Sequence, residues 1–319
     1  MVKKFVLVTD SGFANLDMER RLIEDSGYQL VTAQCKTEDE VIAAGAGAEA
    51  LLVQWAPVKA KAAAALKNCK VIVRYGIGYD NLDLPALKSA GIAACNVPDY
   101  CIDEVADHTV SLALALARQL FQTHHRTLDG TWKITPPLPM PAYREMTFAT
   151  AGFGRIARSV LERARGFKFK LAAYDPFVPA SEFAKVGVKS LSLEELFMES
   201  DILSLHLPLT DETRHMLNAD RLRTMKKSAL VINTARGPLI DTHALSAALN
   251  EGVIAGAGLD VFETEPLPVD HPLRLAPNII LTSHTAWYSE ASVPELQRKA
   301  AEEIIRGLTG APLRNHINK

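Results

Sequence analysis

Short apolar runs alternate with stretches of helical periodicity along nearly the whole chain. That alternation predicts βαβ units and parallel sheets. In the first third the expected strands are Phe5–Val8, Leu30–Ala33, Ala50–Val53, Lys70–Val73 and Ile92–Cys95. Helical patterns such as Met18–Ser26 and Lys59–Leu66 fall between them. The strands are apolar throughout rather than alternating, as expected of strands covered on both faces. Together they describe an α/β layer of about a hundred residues.

A change of pattern follows. Asp103 reads as the cap of a long helix from Glu104 to about Leu120, dominated by Ala, Leu and Val. A helix apolar on most sides must be buried between layers or subunits. The segment Gln122–Arg144 then carries Pro136, Pro137, Pro139 and Pro141 with Trp132. A proline-rich loop of that length is expected to be functional or to make a subunit contact. A second α/β block opens at Thr147, with strands at Thr147–Ala151, Lys170–Tyr174, Ile202–His206, Ala229–Asn233, Ala257–Val261 and Ile279–Thr282. Its helices include Arg155–Arg165, Leu193–Glu199, Ala219–Met225 and His243–Asn250. Six strands is the count of a full dinucleotide-binding sheet. A last amphipathic helix, Ala291–Leu308, is expected to pack back on the first domain.

Size and composition narrow the class without naming a chemistry. At 319 residues the chain exceeds one ordinary core, so two domains are expected. A net charge of -2 gives no reason to expect nucleic acid or an anionic membrane as partner. Met1-Val-Lys-Lys leads into Phe5–Val8, but Thr9-Asp10 ends that run far too early for a secretory leader. No stretch approaches the roughly 18 apolar residues of a membrane span. Cys35, Cys69, Cys95 and Cys101 lack metal-type spacing and fit a reducing cytosol, so a cytoplasmic protein without a metal is expected.

The chemistry enters with Gly152-Phe-Gly154-Arg155-Ile156-Ala157, a G-x-G-x-x-A run between an expected strand and an expected helix. The first glycine permits a tight turn, the second lets the backbone approach a pyrophosphate, and the small third residue allows close packing. N–H groups at the helix start then face phosphate oxygens. Asp175 closes the next strand about twenty residues on, where a carboxylate accepts ribose hydroxyls and repels a 2′-phosphate. The pattern points to NAD(H) rather than NADP(H).

Three further segments run from a hydrophobic strand into one charged or titratable side chain: Arg236, Glu265 and His284. Strand exits of an open parallel sheet are where ligands bind. Taken singly, Arg236 reads as a turn residue, Glu265 as a solvated loop acid and His284 as a hydrogen-bonded histidine. Taken together, they meet the needs of hydride transfer to a 2-oxo acid. A guanidinium clamps the substrate carboxylate. A histidine donates the proton that the developing alkoxide takes up. A neighbouring carboxylate orients the ring and favours its charged form.

These residues carry a resemblance to the D-isomer-specific 2-hydroxyacid dehydrogenases over essentially the whole chain. The matching stretches are Val73–Asn81, Gly152–Ala157, His206–Thr210, Asn233–Asp241, Gly258–Pro266 and His284. Within that family, Asn96–Cys101 and His284–Glu290 look most like the subgroup related to the C-terminal-binding proteins. The resemblance implies Arg236, Glu265 and His284 as catalytic residues. It implies backbone amides of Gly76, Ile77 and Gly78 on the substrate carboxylate, with Arg74 and Tyr75 beside them. Asp260 would bond the nicotinamide carboxamide, and Thr234, Ala235 and Arg236 would line the cofactor. His206, Leu207, Pro208 and Thr213 would border its adenosine side. The implied architecture is an NAD domain (101–290, with a dimerisation helix and arm at about 103–144) inserted into a discontinuous substrate domain (1–100 and 291–319), closing over a cleft in a homodimer.

Trp287, three residues after His284, offers an indole wall for an apolar substrate side chain, or plain core packing. Two departures stand out. The fingerprint strand Phe148-Ala-Thr-Ala151 is smaller and more polar than usual, and Leu207 stands where some relatives carry a hydroxyl. The leading expectation is an NADH-dependent 2-oxo acid reductase. The alternatives are a glyoxylate/hydroxypyruvate reductase, a phosphoglycerate dehydrogenase without its regulatory domain, or an NAD(H)-sensing dimeric binding protein.

Overall fold

The computed structural model of the chain describes residues 4–319. Met1, Val2 and Lys3, the start of the run read above against a leader, lie outside the described residues. The chain divides into two compact units: one runs through Tyr100 and resumes at Tyr288–Lys319, the other spans Cys101–Trp287.

The first unit holds β1 (Phe5–Val8), α1 (Asp17–Asp25), β2 (Gln29–Thr32), α2 (Glu38–Ala44), β3 (Ala50–Val53), α3 (Ala60–Ala65), β4 (Val71–Arg74), α4 (Leu84–Ser89) and β5 (Ala93–Cys95). Its strands pair only in parallel, in the order β2-β1-β3-β4-β5. That is a flavodoxin-like order, with its switch point between β1 and β3. Successive side chains point to opposite faces, and both faces are covered. Leu7, Leu51, Val53 and Ile72 pack among Val41, Ala62, Leu66 and Leu87. Val6, Val8, Leu52, Val71 and Val73 pack among Ile23, Leu296, Ala300 and Ile304. Two buried faces explain why the sequence shows unbroken apolar runs. Where helices begin, the chain often supplies a cap: Thr37 and Glu40 form a capping box, and Asp83 accepts from the Ala86 N–H.

The second unit holds α5 (Ile102–Ala117), α6 (Leu120–Leu128), β6 (Thr147–Ala151), α7 (Arg155–Gly166), β7 (Lys170–Tyr174), α8 (Ala180–Lys185), β8 (Lys189–Ser190), α9 (Leu193–Glu199), β9 (Ile202–Leu205), α10 (Ala219–Thr224), β10 (Leu230–Asn233), α11 (Thr242–Asn250), β11 (Gly256–Leu259) and β12 (Ile279–Leu281). Its seven strands are all parallel, in the order β12-β11-β10-β9-β6-β7-β8. Counted from β6, this is the 3-2-1-4-5-6 dinucleotide-binding order with one strand added. The extra strand relative to the six expected is β8, whose two exposed residues are too short and polar to register as an apolar run. The α/β class, with two parallel sheets and one unit inserted in the other's sequence, is as expected.

Two expectations are corrected around α5. Asp103 is not its cap: Cys101 holds that position, and Asp103 sits in the first turn. The Asp103 carboxylate instead accepts from Arg163 Nη2 of α7 at 2.8 Å. The helix also ends at Ala117, short of Leu120, because Gln119 turns left-handed with φ 50°. Gln119 is held there by main-chain bonds to the arm, Nε2 to the Leu138 carbonyl at 2.8 Å and Oε1 from the Leu138 N–H at 3.1 Å. The chain then resumes as α6, so the first turns of the segment read as a proline-rich loop are helical. Leu120, Phe121, Leu128, Trp132 and Ile134 of this helix and arm are exposed. Among the described residues no helix is long and apolar enough to cross a membrane.

The last helix, α12 (Ser292–Thr309), covers the first sheet, burying Leu296, Ala300, Ala301 and Ile304. It lies so close that a Cβ on Gly307 would stand 2.6 Å from Val71 Cβ and Cγ1. Gly307→Ala is therefore expected to lower unfolding stability by about 1–3 kcal/mol through overpacking. Gly166→Ala, where an added Cβ meets nothing within 4 Å, should be neutral or slightly stabilising. Urea unfolding midpoints of the two variants check the contrast.

Candidate active site

Register decides which residues meet. In the parallel ladder Asn233 of β10 pairs with Leu259 of β11, and Leu259 with Leu281 of β12. The chain leaves all three strands at one level, so Arg236, Asp260, Glu265 and His284 emerge along one edge of the second sheet.

His284 and Glu265 are joined. His284 Nδ1 lies 2.7 Å from Glu265 Oε2, and both side chains are a little over one-third exposed. Glu265 Oε1 accepts from the Phe262 N–H at 2.9 Å, which fixes the carboxylate plane. Burial pushes the Glu265 pKa up, but the His284 bond and charge, the Phe262 N–H and the Arg236 charge outweigh it, leaving it below the ordinary carboxylate range. Arg236 thus stands close enough to act on Glu265. Its Nη1 donates to the Ala235 carbonyl at 2.6 Å, while Asn233 braces the turn, donating to the Arg236 carbonyl at 2.8 Å and accepting from the Ala235 N–H at 3.0 Å.

Gly237 locks the exits of β10 and β11 together. A Cβ there would lie 1.9 Å from the Phe262 carbonyl carbon and 2.5 Å from Glu263 N. Only hydrogen fits at that crossing. Glu263 adds a second pin, since its carboxylate takes His215 Nε2 at 2.6 Å and the Thr242 N–H at 3.1 Å.

The His284 loop carries strain and is held against it. His284 has φ 56°, a left-handed conformation uncommon outside glycine. Its N–H donates to the Asp260 carbonyl at 2.8 Å. The next two N–H groups, of Thr285 and Ala286, donate to Asp260 Oδ1 and Oδ2, each at 2.9 Å. Thr282 Oγ1 adds a bond to Oδ1 at 2.5 Å. Asp260 is fully buried. Asp260, expected to bond a nicotinamide carboxamide, also organises through its carboxylate the loop that presents His284.

At the fingerprint, Gly152 has φ 101°, and a Cβ there would meet the His206 carbonyl oxygen at 2.7 Å. This glycine is demanded by the fold itself. Gly154 is different: its φ is ordinary and an added Cβ would meet nothing within 4 Å. Neither backbone nor packing requires a glycine at 154, so the space left open there fits a phosphate group over the N-terminus of α7. That helix start has no side-chain cap and no acidic residue in its first turn. Arg155 is exposed and Ile156 half-buried at the same place. The hydroxyl of Thr150, the polar residue in the fingerprint strand, donates to the Gly152 carbonyl at 2.8 Å, so its burial is satisfied and it tightens the turn. Asp175 stands at the exit of β7, accepting the Phe153 N–H at 2.9 Å and the Phe177 N–H at 3.0 Å.

The remaining expected contacts have their own settings. His206 bonds Ser204 Oγ at 2.8 Å, and burial pushes its pKa down to about 3, so the ring is neutral. Leu207 packs toward Gly152. Thr213 folds its loop, donating to the Pro208 carbonyl and accepting the Thr210 N–H, both at 2.8 Å. Thr234 is buried against Thr109 of α5 at 2.7 Å. Trp287 is half-buried.

In the first unit, Gly76 has φ 135°, and a Cβ there would overlap the Arg74 guanidinium at 1.7 Å from Nη1. Arg74 therefore folds directly over the Gly76–Gly78 loop. Two groups of this loop already have partners within the unit. Tyr75 is buried with its hydroxyl on Glu19 at 2.8 Å, so its side chain belongs to the core. The Gly76 N–H already donates to the Arg74 carbonyl at 3.0 Å, leaving Ile77 and Gly78 as the candidate amides. Among the described residues no group of three His, Cys, Asp or Glu side chains is placed to hold a metal ion.

Sequence reasoning passed over Asn233, Gly237 and Glu263, although all lie inside motifs it had quoted. His108 and Thr109 were missed altogether, for in an apolar helix they look like incidental polar residues.

Comparison with known proteins gives the family. Residues 110–286 match the family described as D-isomer specific 2-hydroxyacid dehydrogenase, NAD binding domain. A glyoxylate reductase of Korarchaeum cryptofilum is 38% identical over 267 residues, 82% of this chain and 80% of that protein. Among solved structures, a glyoxylate reductase from Paecilomyes thermophila superposes with a TM-score of 0.89 at 27% identity, covering 99% of each chain. A D-lactate dehydrogenase from Aquifex aeolicus, solved with NAD and lactic acid, gives 0.85 at 28% identity over 96% of each. The chain belongs to the D-isomer specific 2-hydroxyacid dehydrogenase family. It is an NAD-binding oxidoreductase of 2-hydroxy acids.

The lowered pKa of Glu265 has a direct consequence for acid stability. A carboxylate whose folded pKa is depressed contributes fully above its ordinary value of 4.5 and loses the contribution as pH falls through the folded value. Glu265→Gln should therefore lose less unfolding stability than the wild type between about pH 5 and about pH 3. Urea titrations across that range provide the measurement.

Proposed function

We propose that the chain reduces a small 2-oxo acid to the D-2-hydroxy acid, with Arg236 on the substrate carboxylate and His284 as proton donor. The His284–Glu265 bond at 2.7 Å, with Arg236 acting on the same carboxylate, carries the reading. Glu265 holds the ring through Nδ1, which leaves Nε2 as the atom to face the substrate and hand over the proton. The planar guanidinium holds a carboxylate in two bonds and polarises the adjacent carbonyl. Ile77, Gly78 and Arg74 are proposed as further anchors for the acid group. NADH, when bound, supplies the hydride. Gly152, Gly154, Arg155 and Ile156 would hold its pyrophosphate, Asp175 its ribose, and Leu207, Pro208, Thr213, Thr234 and Ala235 its flanks.

Two substrate readings have support. Trp287, half-buried three residues from His284, favours an acid with an apolar side chain. The glyoxylate reductase relatives favour the smallest acid, glyoxylate. The finer likeness of His284–Glu290 to the C-terminal-binding proteins leaves room for a further role in NAD(H)-dependent partner binding. The exposed apolar residues of α6 and the arm support a homodimer. We place the protein in the cytoplasm because Cys35, Cys69 and Cys95 are buried thiols outside any disulfide.

NADH oxidation with glyoxylate, pyruvate and branched 2-oxo acids tests the reading. Activity is expected with at least one acid, and His284→Ala should lower kcat by about 10²-fold or more. If no acid oxidises NADH, the reading fails. Trp287→Ala should erode any preference for branched acids; an unchanged preference removes Trp287 from the pocket. Asp175→Ala should narrow the gap between NADH and NADPH, read as the ratio of their kcat/KM values.

A further inference from the structure

Two neighbouring residues of α5, His108 and Thr109, reach separate strand exits. His108 Nε2 lies 3.0 Å from Thr282 Oγ1, at the exit of β12. Thr109 Oγ1 lies 2.7 Å from Thr234 Oγ1, at the exit of β10. Proton counting gives both contacts a direction. A threonine hydroxyl has one proton to give. Thr282 gives its proton to Asp260 Oδ1 at 2.5 Å, so His108 must donate, and its proton sits on Nε2. Thr109 gives its own to the Val105 carbonyl at 2.7 Å, so Thr234 is the donor to Thr109.

Each contact ends on a segment that bears site chemistry. From His108 the chain of bonds runs through Thr282 to Asp260, the residue that takes the N–H groups of His284, Thr285 and Ala286. His108 Nε2 also lies 3.6 Å from Asp260 Oδ1, so the same ring N–H faces that buried carboxylate. From Thr109 the bond fixes the hydroxyl rotor of Thr234, two residues before Arg236. His284 sits in an unfavourable left-handed conformation, which persists only where surrounding bonds hold it. Alpha-helical side chains are a rigid place from which to hold it.

We propose that His108 and Thr109 are positioning residues for this site: His108 sets the His284 loop through Thr282 and Asp260, and Thr109 sets the Thr234–Arg236 turn. The proposal rests on the reductase reading and extends it to two residues of α5 that act through other side chains.

The test compares full-length His108→Leu and Thr282→Val, singly and together, with His108→Gln, Thr109→Val and Thr109→Ser. Steady-state kinetics use the best acid of the panel. Diethyl pyrocarbonate labelling of His284, followed by peptide mass, reads the loop without any turnover. His108→Leu should lower kcat about tenfold with KM for the acid nearly unchanged, and should raise the His284 labelling rate about threefold. His108→Gln should recover most of both. Thr282→Val should match His108→Leu, and the double variant should add little, because the two act through one chain of bonds. Thr109→Val should raise KM for the acid and for NADH, with Thr109→Ser restoring them. Wild-type kcat and His284 labelling in folded His108→Leu would overturn the His108 half. So would effects of His108→Leu and Thr282→Val that simply add, or losses that glutamine fails to recover. Unchanged KM values in Thr109→Val would overturn the Thr109 half. Should leucine at 108 prevent folding, Thr282→Val and its labelling rate decide the matter. A wild type inactive on every acid sinks the reductase reading, while the labelling comparison still judges the positioning claim.

Discussion

Parallel pairing in strict register is the constraint on which the site depends. Because β10, β11 and β12 end at one level, a few residues of loop after each strand suffice to gather Arg236, Glu265 and His284. A slip of one residue in either ladder would flip the alternation of every side chain and displace the exit by about 3.3 Å, more than a hydrogen bond tolerates. Burial of both sheet faces is what makes such a slip costly. The apolar strands therefore do more than form a core, since they set the spacing of charged groups that lie outside it.

On that frame the exits are treated unequally. The His284 loop is bent into a left-handed turn and secured by three successive N–H groups on one buried aspartate. The Arg236 turn is secured by Asn233, a side chain standing in for absent strand pairing. The Glu265 segment is wedged by the Gly237 crossing and pinned by Glu263. In each case a polar side chain, buried at Asn233 and Asp260, satisfies main-chain donors that no helix or strand can reach. Site geometry here is largely a matter of where loop N–H groups find acceptors.

How far the sequence could be read follows from the range of the forces involved. Strands buried on both faces leave continuous apolar runs, so every central strand was legible, and β8, two polar residues at an edge, was not. Arg236, Glu265 and His284 were legible because each follows an apolar run directly. The end of α5 was not, because Gln119 breaks the helix by bonding to Leu138, nineteen residues away. Asp103 looked like a cap because local rules favour aspartate there, yet a long-range partner, Arg163, claims it. The partner of the Tyr75 hydroxyl, the buried Glu19, lies 56 positions away and was likewise not legible. His108 and Thr109 were invisible for the same reason: their partners lie 174 and 125 positions along the chain.

The crossing at Gly237 also bears on how such a site can diversify. With backbone atoms of Phe262 and Glu263 filling the volume where any side chain would begin, the arginine turn and the glutamate segment move as a single mechanical piece. Their spacing cannot be retuned by substitution at the point where they touch. Any change of spacing must therefore be taken up elsewhere along the two segments, away from their crossing. A single hydrogen atom marks the place where the two segments are fixed against each other.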